Sequence, residues 1–439
     1  MKKNIWMRAA VVVGAASLMM GALAGCQGGS DAAQGGSKAD IDAALKKGGE
    51  LTWWTWSDAT QKQADAFTKE HPNVKIKVVK LDNPDAAVTK LQNAVKAGSG
   101  APDIVPVEYQ TMPQLTMAGA LADMTSYGFD GYKDQFTAST WSSVNVNGKL
   151  VGIPMDSGPM VFIYNKDLYA AAGITEAPKT WDEFVKDSAA IHAKDPNTYI
   201  ATGGDAGFFT SMIWASGGHP FKTDGEKVTI DLQDEGSKKF ADMWGGMLQR
   251  GELSPLATWS DEWSKALNQD KLATLMMGSW MISGMDDHGA GKWQVAPMPT
   301  WDGTPGSAEN GGSGLSVTDQ SKNKALAAAV LQFMADGTGR TLINQNGFPS
   351  TVKEFDNADW KNMTFAAYGD QKPNPIGADS AKSVIAGWQY LPFQGYANNV
   401  FGDSVGKAIG AKGDLNAALK EWQKTLVDYG NQQGFQVNN

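Results

Sequence analysis

Two short stretches place an aromatic ring beside groups that can hold a hydroxyl: Trp56-Ser57-Asp58 and Glu108-Tyr109-Gln110. A flat ring offers an apolar face, and a neighbouring carboxylate or amide offers acceptors and donors at its edge. Such pairs suit the holding of a solute and would serve a hydrolase equally. Other chemistry is poorly provided for. The single cysteine, Cys26, excludes a disulfide framework and thiolate-rich zinc or iron–sulfur sites. His71, His192, His219 and His288 lie far apart and form no H-E-x-x-H pair. Asp224-Gly225-Glu226 and Asp286-Asp287 lack the ligand spacing of a calcium loop, so no metal is expected. There is no Gly-x-Ser-x-Gly elbow or phosphate-cradling loop, and neither a catalytic residue nor a cofactor is expected.

These groups need elements to position them. Leu51-Thr52-Trp53-Trp54-Thr55-Trp56 is a β-rich run in which Trp53 and Trp54 read as core. Ser57-Asp58 is a good N-cap for a helix over 59–70, which leaves Asp58 two compatible roles, cap and ligand contact. Residues 74–79 alternate as a strand; Asn83-Pro84-Asp85 opens a helix that Gly98 closes; Pro102-Asp103-Ile104-Val105 begins a third strand. Thr180-Trp181-Asp182-Glu183 is a capping box heading a helix to His192, and 325–335 and 417–428 are further helices. Strands separated by helices of this length predict an α/β fold with mainly parallel sheets. In open α/β sheets ligands bind outside the carboxyl ends of the strands, so Trp56, Asp58, Glu108 and Tyr109 fall on the rim.

The balance of 38 Lys+Arg against 47 Asp+Glu, a net charge of −9 with no basic run, argues against nucleic acid as a partner. Lys2, Lys3 and Arg8 precede an uncharged, apolar stretch over 9–25, which reads as a signal peptide. Leu23-Ala24-Gly25-Cys26 resembles the lipobox of bacterial lipoproteins. That resemblance implies cleavage before Cys26 and a lipid on its sulfur, the chain touching the membrane only through this anchor. Residues 26–47, rich in Gly, Ser and Ala at the start, are expected to be a flexible tether.

Further along, Val146-Asn147-Gly148-Lys149-Leu150-Val151-Gly152-Ile153-Pro154 is followed by Phe162-Ile163-Tyr164-Asn165-Lys166-Asp167-Leu168-Tyr169 and then by Pro178-Lys179-Thr180-Trp181-Asp182-Glu183-Phe184. Together these resemble the signature of family 1 extracellular solute-binding proteins, the carbohydrate-capturing lipoproteins of ABC importers, and the likeness extends over nearly all of 48–430. The resemblance implies a monomer of two α/β lobes that closes on a solute and hands it to membrane permease subunits. Crossings between the lobes then fall near 155–160, 310–317 and 348–355. One lobe is expected at 48–156 and 315–350, the other at 159–310 and 352–439. The glycines of Gly158-Pro159 and Gly311-Gly312 then serve as hinge points or as ordinary turns.

Only 19% of the chain is charged, where about 25% is usual, and tryptophans number 16. A sugar fits that composition better than a charged solute, because a pyranose has apolar faces for aromatic stacking and a rim of hydroxyls for polar side chains. By resemblance, Trp280 in Gly278-Ser279-Trp280 is the first choice for a stacking ring, set against a core role. Trp388, Tyr390 and Tyr396 precede a helix that brings an aromatic into the cleft in relatives, and Phe208 and Phe209 occupy a ligand-facing loop. Asp156 and Gly312, with Asn310, lie in the crossings. Trp259, Asp261 and Trp263 form an aromatic–acid cluster that also suits packing of a helix's first turn. Two other readings stay open: a secreted carbohydrate-active hydrolase, whose two carboxylates any acidic chain could supply, and a solute-binding protein for a non-sugar solute.

Overall fold

The structure, a computed structural model, describes residues 36–345 and 347–438. The expected leader and Cys26 lie outside the described residues. The expected tether does not run to residue 47: helix α1 (Lys38–Lys47) begins at Ser37, whose hydroxyl accepts from the Asp40 amide while the Asp40 carboxylate accepts from the Ser37 amide. Ile41, with Ala44 and Leu45 on the same face, docks this helix on the first core, which is why it folds.

The chain then enters β1 (Gly49–Thr55), α2 (Thr60–Glu70), β2 (Val74–Lys80), α3 (Pro84–Ala97) and β3 (Ile104–Glu108). Asn83 caps α3 through the Ala86 amide, and Gly98 ends it at φ +69°. Trp53 and Trp54 are buried, as expected. Asp58 does not cap α2: Ser57 Oγ accepts from the Ala59 amide, and the Asp58 carboxylate turns to solvent and pairs with Lys80. After β4 (Ile153–Pro154) the chain leaves this sheet for a second strand layer made of two ladders, one of β5 (Met160–Asn165), β8 (Thr274–Gly278) and β9 (Trp293–Ala296), the other of β6 (Ala201–Thr202) and β7 (Leu253–Ser254). Around it lie α4 (Trp181–Lys194), headed by the expected Thr180–Glu183 capping box, and α5 (Ala206–Ala215). The chain returns to the first sheet as β10 (Ser313–Val317). Later helices are α6 (Lys324–Ala335), α7 (Gln394–Val400) and α8 (Leu415–Gln432).

The two sheets share one plan. In the first, ordered β2-β1-β3-β10-β4, the first three strands are parallel, β10 is reversed, and β4 opposes β10. In the second, β7 and β6 are parallel, a parallel bridge between Tyr199 and Leu272 links β6 to β8, and β5 runs against both β8 and β9. Each sheet is thus parallel but for one strand. The reversed strands, β10 and β5, are the ones that arrive from the other sheet, with no helical crossover to restore their direction. One core draws on 41–153 and again on 315–343; a second centres on Phe162, Phe184, Trp244 and Trp422.

Three segments pass between the sheets side by side. The Met155 amide donates to Ser313 O (2.8 Å), the Ser157 amide to Phe348 O (3.0 Å), and the Asn310 amide to Gly158 O (2.7 Å). Glu309, fully buried there, accepts from Ser139 Oγ (2.6 Å), Ser157 Oγ and the Gly158 amide (2.6 Å). Such a buried carboxylate is tolerable only with donors of this kind. Arg340 donates to the Pro154 and Met155 carbonyls and lies over the Phe136 ring, fastening one side of the seam.

Candidate functional site: the cleft between the sheets

A cleft of about 1510 Å³ opens beyond the carboxyl ends of β3 and β6, where an α/β fold holds its ligands. Its first wall comes from α3 and the turn after β3. Asp85, Val88, Thr89, Gln92 and Lys96 recur at helical spacing, so one face of α3 looks into the cleft. Glu108, at the end of β3, accepts from Gln110 Nε2 (3.1 Å). Burial pushes its carboxyl above the usual range, an effect that Asp85 and Asp156 reinforce and the Gln110 bond opposes. Gln110 and Gln114 complete this wall, which contains no aromatic residue.

The rest of the lining carries seven: Phe208, Trp259, Trp280, Tyr390, Tyr396, Phe401 and Tyr429, of which Tyr390 packs on the first core. Trp280 donates its Nε1 to Asn310 O (2.7 Å), which fixes the indole edge and leaves the ring as the surface available to a ligand. Close approach makes glycine necessary beneath it. A Cβ on Gly278 would sit 2.2 Å from Trp280 Nε1 and 2.4 Å from Asn310 O, and Gly311 meets the ring at φ +78°. Tyr396 stacks on Tyr429 at 3.5 Å and 8°. The Asp205 carboxylate caps α5 through the Phe208 amide (2.8 Å), and Phe208 packs on Trp244 at a tilt of 46°. At one end the walls touch: Asn398 Nδ2 donates to Gln110 Oε1 and the Gly395 amide to Gln114 Oε1, each at 3.2 Å.

Of the residues singled out from sequence, Trp280, Glu108, Phe208, Tyr390 and Tyr396 lie together in the cleft lining. Trp259, which the sequence left between a site and the packing of a helix, joins them there. The others lie elsewhere. Trp56, half-buried, borders a small adjoining depression over Ala87 and Leu91. Asp58 is on the outer surface. Phe209 is buried against Phe240 and Phe401. Trp388 stacks on Trp214 at 5.0 Å and 8°. Tyr109, Asp156 and Gly312 belong to the seam: Tyr109 donates its hydroxyl to Asp156 O (2.7 Å), Asp156 Oδ1 accepts from the Ser313 amide (2.7 Å), and Gly312, at φ +92°, clears the Tyr109 ring. Tyr429 and the α3 face were not anticipated from sequence. The i, i+3, i+4 run from Asp85 to Lys96 was the one available signal for the α3 face, since its polar members did not mark a buried stripe.

The lining also holds eight Asn and Gln side chains, against three carboxylates and one lysine. Uncharged donors and acceptors beside ring faces match an uncharged, polyhydroxylated solute.

Residues 53–337 match the model of the bacterial extracellular solute-binding protein family, well over half of the chain. The chain is 36% identical, at a TM-score of 0.79, to the ABC transporter associated binding protein of B. animalis subsp. lactis Bl-04 solved with β-1,6-galactobiose, over 89% of this chain and 99% of that one. It is 25% identical, with a TM-score of 0.77, to the galacto-N-biose/lacto-N-biose I-binding protein of Bifidobacterium longum solved with lacto-N-biose, over 89% and 99%. A relative named arabinooligosaccharide-binding protein, from Bacillus subtilis, is 27% identical across 65% of this chain and 68% of its own. On these matches and on its two sheets joined by a three-stranded seam, the chain belongs to the bacterial extracellular solute-binding protein family.

Proposed function

We propose that this chain captures a short, uncharged oligosaccharide in the cleft and delivers it to the membrane permease subunits of an ABC importer. The observation that carries this reading is a cleft lined by seven aromatic rings, all outside the α3 wall, and by eight Asn and Gln side chains spread over both sides. Rings stack on sugar faces, and amides and Glu108 take the hydroxyl rim. β-1,6-Galactobiose is the first sugar to try, given the relative that was solved with it.

We assign one lobe to 48–156 and 315–350, with α1 added, and the other to 159–310 and 352–439; the two main cores support this division. Rotation about the seam then brings the walls together, and occupancy is signalled by the population of the closed form. We place the protein as a monomer on the outer face of the cell membrane, held by a lipid on Cys26. Labelled palmitate should enter the wild type and fail to enter Cys26→Ala. Titration of the soluble part with β-1,6-galactobiose should give one intact sugar bound per chain, whereas turnover would favour a hydrolase.

A further inference from the structure

Trp259 is the one tryptophan among the described residues that stands exposed, at 53%, and it does so inside the cleft lining. Its backbone is equally unusual. With φ at +73° it lies in the left-handed region, where a bulky side chain is strained, and it is the only aromatic residue among the described non-glycine residues found there. Strain of this kind persists only where surrounding structure enforces it. Here Thr258 Oγ1 bonds Thr202 Oγ1 (3.1 Å), tying the loop to β6, and Ser260 Oγ holds both Ala257 O (2.8 Å) and the Trp263 amide (3.1 Å). The Trp259 ring leans on buried Trp263 (5.0 Å between centroids) and sits 5.8 Å from Trp280, tilted by 30°.

We infer that Trp259 forms an outer ring-stacking subsite adjoining Trp280, so that the cleft selects saccharides of two or more units over a single one. The inference rests on the oligosaccharide reading and adds the residue that sets minimum length. The spacing of the two rings is comparable with the width of one sugar ring, and their tilt suits a linkage that turns the second unit relative to the first. An indole held out in water at a strained backbone position contributes little to the fold, whereas it becomes useful once a ring face covers it.

The test compares wild type, Trp259→Ala, Trp259→Phe and Trp259→Gly by titration with galactose, β-1,6-galactobiose, lacto-N-biose and arabinotriose. For sugars of two or more units that the wild type binds, Trp259→Ala and Trp259→Gly should weaken affinity about tenfold, Trp259→Phe by much less, with galactose affinity unchanged. Trp259→Gly should melt no lower than wild type, because glycine relieves the backbone strain. Unchanged oligosaccharide affinity in Trp259→Ala overturns the subsite, as does an equal loss for galactose. A sharp fall in melting temperature in both Ala and Gly variants assigns Trp259 to packing and overturns it too. If the wild type binds none of the four sugars, the oligosaccharide reading itself fails and takes the subsite with it.

Discussion

The two walls of the cleft stand on sheets of the same plan and carry opposite chemistry. Beyond β3 and along α3 the chain presents four amides, hydroxyls and Glu108 without a single ring; the rest of the lining presents seven rings and the other four amides. With the Tyr199–Leu272 bridge joining the two ladders of the second layer, the strand arrangements correspond, and the difference does not come from topology. It comes from what surrounds the strands: a helix turned polar side inward on one wall, and on the other, loops that brace Trp259 and Trp280, joined by four rings from residues 390–429. A sugar resting on the ring wall removes apolar area from water at once, while the amide wall contributes only after closure brings it to the hydroxyls. Affinity should therefore reside mainly on one wall, and discrimination mainly on the other.

The sharpest way to break this contrast is Trp280→Ala, which should cost about 2 kcal/mol or more in binding free energy, roughly thirtyfold or greater in Kd. Titration calorimetry reads it directly; a loss below twofold would remove Trp280 as the central platform. Gly278→Ala comes next. Its methyl would collide with Trp280 Nε1 and Asn310 O, so unfolding in denaturant should reveal a loss of about 1–3 kcal/mol, with weaker sugar binding as the indole shifts.

The seam offers a third test, and one that should leave the walls alone. Burial pushes Asp156 from 3.8 up to about 6; Glu309 adds to the rise, while the Ser313 amide and Arg340 oppose it. Because the folded form then holds its proton more tightly than the unfolded chain, this group's contribution is fully present below about pH 4 and is lost as pH rises through about 6. Asp156→Asn keeps an acceptor for the Ser313 amide and removes the titration. Relative to wild type its unfolding free energy should gain between pH 4 and 7, by an amount on the order of 1 kcal/mol given that Asp156 is only half-buried. A parallel pair of pH profiles would contradict this.

The smallest effect belongs to the polar wall. Glu108→Gln should weaken sugar binding only several-fold, since one charged hydrogen-bond acceptor is replaced by a neutral one. Wild-type affinity should also fall as pH drops toward the raised range of Glu108, because a protonated carboxyl accepts less well, and the variant should lose that dependence. Equal losses for Glu108→Gln and Trp280→Ala would erase the proposed division of labour.

Much of the scaffold could be read from local signals. The capping box at Thr180–Glu183 and the Asn83 to Gly98 helix declare themselves because caps and breakers act over a few residues. Signals of the same length misled elsewhere. Asp58 has the chemistry of a cap, yet α2 starts one residue later, with Ala59 at its N-cap and no side-chain cap, and Lys80 of the neighbouring strand draws the carboxylate outward. Residues 38–47 follow the Gly- and Ser-rich run directly and read with it as tether; only the first core, assembled from distant segments, gives Ile41 a place to go. Among the aromatics, sequence could propose Trp280 and Phe208, but it could not separate Phe209 from its neighbour or lift Trp259 above Trp263. Those choices depend on which way a helix or loop faces across the cleft.

The central claim is that this cleft holds an intact oligosaccharide. Titration calorimetry of the chain with β-1,6-galactobiose, lacto-N-biose and arabinotriose, with the sugar recovered and analysed afterwards, tests it most directly. Saturable binding of at least one of them at one molecule per chain is expected, with the sugar recovered whole. No binding to any of the three, or their conversion to smaller sugars, would contradict it.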